Sequence, residues 1–403
     1  MARRSVRSAR NFGCCGNRIA QEGAGNEKAP LRRGATAQRL VYRAGRARYA
    51  YSRDRGRSCC IAIGEENMPT HHLLPRLFAG MLLSFAGTTI IHADSGKSAD
   101  SKPPLVEPSG PHVTYSTIKV SGLSIAYREA GDASSPKIVL LHGFPASSHQ
   151  YRDLLPALAD KFHVIAPDYP GFGNSEMPDP AAFSYTFDKL SEVVEAFLKE
   201  KGFDHYGLFV QDYGGPVGFR IVGRHPEALD WLIIQNTNAY EVGFTPAWAG
   251  LRGKLWLNRT AETEAGVAGL LELDTVKAVY LHGSKKPELI SPDNWNSDFA
   301  FLQRPNARRV QLDLFYDYRT NVALYPKWQA FLRERQPKTL IFWGEDDIFF
   351  TPEGGESYLK DLPHAEIHRL DAGHFAVEDH LNYISEQMHG FYRKVVTGAK
   401  GKH

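Results

Sequence analysis

From about residue 112 onward, short apolar runs alternate with amphipathic stretches. Lys137-Ile-Val-Leu-Leu141 is apolar at consecutive positions, the pattern of a strand covered on both faces. His163–Pro167, Tyr206–Val210, Asp230–Gln235 and Lys338–Trp343 repeat it; Leu123–Arg128 precedes them and Ala365–Leu370 closes the series. Between the strands, Thr186–Lys201 places Leu190, Val193, Val194, Phe197 and Leu198 at helical spacing, and Leu381–Val396 predicts a closing helix. Strands and helices in alternation predict an α/β sheet of mostly parallel strands.

The rhythm breaks between Tyr240 and Pro326. That stretch has helical patterns and many aromatic residues, among them Trp248, Trp256, Trp295, Phe299, Phe301, Phe315, Tyr316 and Tyr318. It predicts a helical cap over the carboxyl ends of the strands, where open α/β sheets place their sites. Such a lid excludes water and shapes the pocket. The expected division is core over 112–239 and 327–396, cap over 240–326, and a tail at 397–403.

Upstream, the character of the chain differs. Residues 1–67 hold 15 Lys and Arg against 5 Asp and Glu, so the net charge of +3 for the 403 residues hides a basic segment of +10 and a remainder of −7. The remainder offers nothing to nucleic acid. All four cysteines (Cys14, Cys15, Cys59, Cys60) lie in the basic segment as adjacent pairs, a spacing unlike a disulfide framework or a CxxC zinc site. The segment predicts a disordered extension, with Met68 as the natural start. Arg76, the apolar run Leu77–Ile91 and small Ala93 then form a signal peptide over 68–93, with cleavage near Ala93. The run is short for a membrane span, which needs about 20 apolar residues. Export is therefore expected, with an uncleaved N-terminal anchor as the alternative; residues 94–111 predict a linker.

Candidate chemistry sits at the ends of the predicted strands. Gly207-Leu-Phe-Val-Gln-Asp212-Tyr-Gly-Gly215 ends an apolar strand at Asp212 and follows it with small residues that let a helix start at once. Such an elbow displays one side chain at the top of the sheet, here a carboxylate that needs no base to make it nucleophilic. His142-Gly-Phe-Pro145 follows Lys137–Leu141 directly. Gly344-Glu-Asp-Asp347 ends a later strand and Asp371-Ala-Gly-His374-Phe follows the last, giving an acid and a base in chain order. Glu345 and Asp346 compete with Asp347, but the G-x-x-D offset favours Asp347. No metal cluster or dinucleotide loop stands out, so no cofactor is expected.

Together HGFP (142–145), DYPGFGNS (168–175), VQDYGG (210–215), WGEDD (343–347) and AGHF (372–375) resemble the epoxide hydrolase and haloalkane dehalogenase branch of the α/β-hydrolases, over about residues 113–395. The resemblance implies an α/β-hydrolase fold with a cap, and a two-step reaction on a small apolar electrophile and water. Asp212 attacks carbon to form an ester. His374, oriented by Asp347, activates the water that cleaves it, while the backbone N–H groups of Phe144 and Tyr213 form the oxyanion hole.

For the leaving group, the resemblance implies a cap tyrosine that protonates an epoxide oxygen; Phe315-Tyr-Asp-Tyr318 points to Tyr318, with Tyr280 or Tyr240 as a second. Dehalogenases of this branch carry Trp after the nucleophile, sometimes with Asn in the oxyanion loop; this chain has Tyr213 and Phe144 there. Epoxide hydrolysis to a diol is therefore expected first. Haloalkane dehalogenation, with halide on Trp248, Trp256 or Trp295, is the alternative, and a non-catalytic binding protein the third reading.

Overall fold

The computed structural model describes residues 112–400 and, upstream, three short strands between residues 40 and 63. Those strands, β1 (Leu40–Ala44), β2 (Ala47–Asp54) and β3 (Arg57–Ile63), pair in order as an antiparallel meander, where the sequence pattern led us to expect a disordered segment. The expected signal peptide and linker lie outside the described residues.

The main sheet has eight strands. These are β4 (Val113–Val120), β5 (Leu123–Ala130), β6 (Lys137–Leu141), β7 (His163–Pro167), β8 (Tyr206–Gln211), β9 (Leu229–Gln235), β10 (Thr339–Gly344) and β11 (Glu366–Leu370). Their order is β11-β10-β9-β8-β6-β7-β5-β4, parallel from β7 through to β11 and antiparallel at the β4–β5 edge. The β4–β5 hairpin turns at Ser121 and Gly122, both at positive φ, the two-residue turn whose twist suits a hairpin. Strand β4 is largely exposed, which is why its sequence shows no apolar run.

Alternation along the central strands divides the interior in two. Val139 and Leu141 of β6 and Leu208 and Val210 of β8 pack on one face against α2 (Phe187–Glu200) and α3 (Gly214–Arg224). Ile138, Leu140 and Phe209 face the other layer, which includes Leu154 and Leu158 and, from the closing helix Ala376–Lys400, Ile384 and Met388. Burying each such side chain is worth roughly 1.5–3 kcal/mol, so the face assignment is strongly fixed. The closing helix breaks its helical φ/ψ at His380, so its regular part begins where the sequence placed it.

Between β9 and β10 lies the cap, helical from Glu241 to Arg335. It ends later than the expected Pro326, because the helix Arg319–Arg335 runs through that proline. Loss of one backbone N–H is tolerated there by a helix that buries Asn321, Tyr325, Trp328 and Leu332. Among the described residues no helix is long and apolar enough to cross a membrane.

Candidate active site

Strand β8 delivers Asp212 to the site and α3 starts two residues later. To make that bend Asp212 adopts φ of +46°, a region L-residues avoid, and Thr237 donates to its carbonyl at 2.7 Å. The turn closes only because Gly214 has no side chain: a Cβ there would lie 2.1 Å from the carbonyl oxygen of Leu141. The small residues after Asp212 are thus a packing requirement between α3 and β6.

The carboxyl group of Asp212 is buried, and the N–H of Phe144 donates to its Oδ1 at 2.7 Å, joined by the N–H of Tyr213. Burial pushes its pKa up to about 6; His374 and these two N–H groups pull the other way. Both backbone donors read from the sequence therefore meet on the Asp212 carboxyl group.

His374 follows β11 and is wholly buried. Its Nδ1 lies 2.9 Å from Oδ2 and 3.1 Å from Oδ1 of Asp347. Burial opposes protonation of this imidazole, but Asp347, and beyond it Asp212, raise its pKa above the ordinary value. Asp347 is itself held by Asn236 Nδ2 at 2.8 Å and by the N–H of Phe349 at 2.7 Å. Its competitors are engaged elsewhere, Asp346 with Lys285 and Glu345 with Arg369. Asn236 escaped the sequence reading; it stands at the end of β9 with φ of +38°, and bonds Gly344 as well, so it pins the loop that presents Asp347.

A narrow cavity opens onto Asp212. Phe144, Tyr213, Trp248, Leu251, Phe315, Tyr318 and Phe349 are among its walls. Tyr318 is buried and its hydroxyl interacts with that of Tyr325; the hydroxyl of Tyr213 is buried without a hydrogen-bond partner. Burial holds both phenols well above the usual pKa, so both stay protonated. Tyr316 faces away, its ring covered by the Arg319 guanidinium at 3.6 Å. The two candidates for a second tyrosine are engaged outside the cavity: Tyr240 donates to Asp361 and Tyr280 to Asp298, each at 2.5 Å. Tyr325, two helical turns beyond Tyr318, instead brings a buried phenol that interacts with it, at a spacing that puts both on one side of the helix. Of the candidate tryptophans, Trp248 lines the cavity but spends its N–H on the carbonyl of Phe349, and Trp256 donates to that of Phe315. Trp295 packs against Tyr280, away from the cavity lining.

Residues 136–381 match the family model for the alpha/beta hydrolase fold, and the chain belongs to that family. It is 38% identical over 270 residues to an uncharacterized hydrolase of Saccharomyces cerevisiae, covering 66% of this chain and 92% of the relative. It is 38% identical over 274 residues to a haloalkane dehalogenase of Mycobacterium marinum, covering 66% and 88%. A solved epoxide hydrolase shares the fold at 20% identity, with a TM-score of 0.59 over 70% of this chain and all of that one. Within its family the chain is therefore a hydrolase of the haloalkane dehalogenase and epoxide hydrolase branch.

Proposed function

We propose that the protein is an epoxide hydrolase working through a covalent ester on Asp212. The observation that carries this reading is the chemistry of the cavity wall. Its side-chain hydrogen-bond donors not committed to the main chain are phenols, Tyr318 beside Tyr325 and the unpartnered Tyr213, while the indole of Trp248 is bound to a carbonyl. A strained ether oxygen needs a proton as its C–O bond breaks, and a phenol supplies one; a halide leaves as a stable anion and needs only N–H or O–H donors.

In the first step an Asp212 oxygen attacks an epoxide carbon, and Tyr318 donates its proton to the oxygen released from that carbon. In the second, His374, its Nδ1–H held by Asp347, takes a proton from water through Nε2. The hydroxide so formed adds to the ester carbonyl of Asp212. Negative charge then gathers on the oxygen that faces the N–H groups of Phe144 and Tyr213, where each such donor is worth roughly 2.7–4 kcal/mol. Collapse expels the diol and restores the carboxylate, while the His374 proton returns through solvent to the Tyr318 phenolate.

Dehalogenation is the second reading, supported by the dehalogenase relative. A panel of aryl and alkyl epoxides and bromoalkanes, scored together for diol and halide, separates the two. Diol formation that falls about 100-fold in Tyr318→Phe supports the first reading. Bromide release that survives Tyr318→Phe, with no diol from any epoxide, overturns it. In both, Asp212→Ala removes turnover and His374→Gln leaves the ester as added mass. The apolar run Leu77–Ile91 supports export to a periplasmic or external space; N-terminal sequencing of the natural product, with a first residue near Asp94, is the matching test.

A further inference from the structure

Gln211 is the last residue of β8. Its side chain is fully buried. Its Nε2 lies 2.9 Å from Nε2 of His374 and 3.3 Å from the carbonyl oxygen of His374. Its Oε1 accepts from Nε2 of Gln150 at 3.3 Å, and Oε1 of Gln150 accepts from the N–H of Gly143 at 3.4 Å. Two carboxamides thus run from the peptide next to Phe144 to the imidazole ring.

This chain of bonds has one direction. Reversing the Gln211 amide sets its oxygen against the carbonyl oxygen of His374 and its nitrogen against the nitrogen of Gln150, two acceptors and then two donors in contact. Nδ1 of His374 faces the Asp347 carboxylate, so the ring proton sits on Nδ1 and the lone pair on Nε2. Gln211 donates to that lone pair. The nitrogen that must accept the proton of water is therefore already capped.

We propose that Gln211 is a positioning residue for the general base: its carboxamide holds His374 as the neutral Nδ1–H tautomer in the free enzyme and yields Nε2 to the hydrolytic water once the ester has formed. The inference rests on the reading of His374 as general base given above. The titratable groups facing the ring are Asp347 and Asp212, and both favour an imidazolium; Phe349, Phe350 and Phe375 pack around the rest of it. A protonated ring has no lone pair for water. A hydrogen bond donated to Nε2 is made only by the neutral ring and opposes that drift. In the second step the water O–H bond breaks, its proton goes to Nε2 and its oxygen to the Asp212 carbonyl carbon; Gln211 gains and loses no proton.

The full-length chain, labelled with ¹⁵N at histidine and glutamine, tests this without any substrate. In the parent protein at neutral pH, the His374 ring is expected in the Nδ1–H form, with a scalar coupling across the hydrogen bond to Gln211 Nε2. Gln211→Glu, nearly isosteric, places an acceptor there and is expected to leave the ring doubly protonated; Gln211→Leu is expected to abolish the coupling. A parent spectrum without the coupling, together with one His374 titration shared by all three proteins, overturns the proposal. With a substrate of the parent enzyme, single-turnover kinetics add a split. Ester hydrolysis in Gln211→Glu falls at least about tenfold, a part of what a positioned base contributes, while ester formation falls less and the ester accumulates. Ester that forms and decays at parental rates in this variant also sinks the proposal. Failure of all substrates to form ester would instead strike at the function proposed above and leave the spectroscopic result to decide this one.

Discussion

Asp212 carries two costs at once, a backbone at φ of +46° and a carboxylate drawn out of water. The second has a sign that can be worked through. Its folded pKa of about 6 stands above the 3.8 of an ordinary aspartate, so the fold prefers the neutral acid. Below pH 4 both folded and unfolded forms bind the proton and the group is neutral towards stability. As pH rises through 4 to 6 the unfolded chain releases its proton first, and stability is lost, to a limit of about 3 kcal/mol above pH 6. Asp212→Asn removes the charge and keeps a residue that tolerates positive φ. It is expected to unfold at higher urea than the parent at pH 7, with the gain shrinking towards pH 4. An equal midpoint at pH 7 would show that the site stabilises the carboxylate fully. On the function proposed above, the same shift is expected to set the acid limb of kcat/KM near pH 6, below which a protonated Asp212 could not attack.

At the scale of elements, the cap must be registered on the elbow, because Tyr318 comes from one and Asp212 from the other. Arg220, on α3 and buried, makes that connection. Its guanidinium donates to Asn321 Oδ1 at 2.7 Å and Thr320 Oγ1 at 3.1 Å, on the cap helix that begins just after Tyr318, and also pairs with Asp188 of α2. Arg220→Met leaves the Asn321 side chain buried without its partner, a loss of about 1–3 kcal/mol. It is expected to lower stability by that amount and to raise KM more than it lowers kcat, as Tyr318 wanders; wild-type KM with an unchanged urea midpoint would refute the coupling. What the sequence showed at this scale follows from the same physics. Lys137–Leu141 and His163–Pro167 were bounded to the residue, because strands covered on both faces are apolar throughout. Strand β4 was missed because it is half in water, and the cap was ended at Pro326 rather than Arg335 because that proline reads locally as a helix stop while the buried face of Arg319–Arg335 overrides it. Asp212, His374 and Asp347 were legible since each follows a strand end in a short motif. Asn236 and Gln211 were not, since their role lies in what they touch across the sheet, 111 and 163 positions away in the chain.

For the whole molecule, the question is how much chain the chemistry needs. The family match spans residues 136–381, and every group placed in the candidate site lies between Gly143 and His374. Residues Ser101–His403 form one compact unit, in which the closing helix packs on the second face of the sheet. The family match and the compact unit both begin beyond the basic residues of the first 67, and residues 68–403 carry a net charge of −7. A protein beginning at residue 101 is therefore expected to fold, to unfold at the same urea concentration as the full chain, and to keep its kcat/KM on whichever epoxide or bromoalkane the full chain accepts. It is also expected to stay in the cytoplasm of an expressing cell, because Leu77–Ile91 has gone with the deletion. Activity lost while the fold persists would mean that the upstream residues reach the substrate, and the boundary between targeting and catalysis would have to be redrawn.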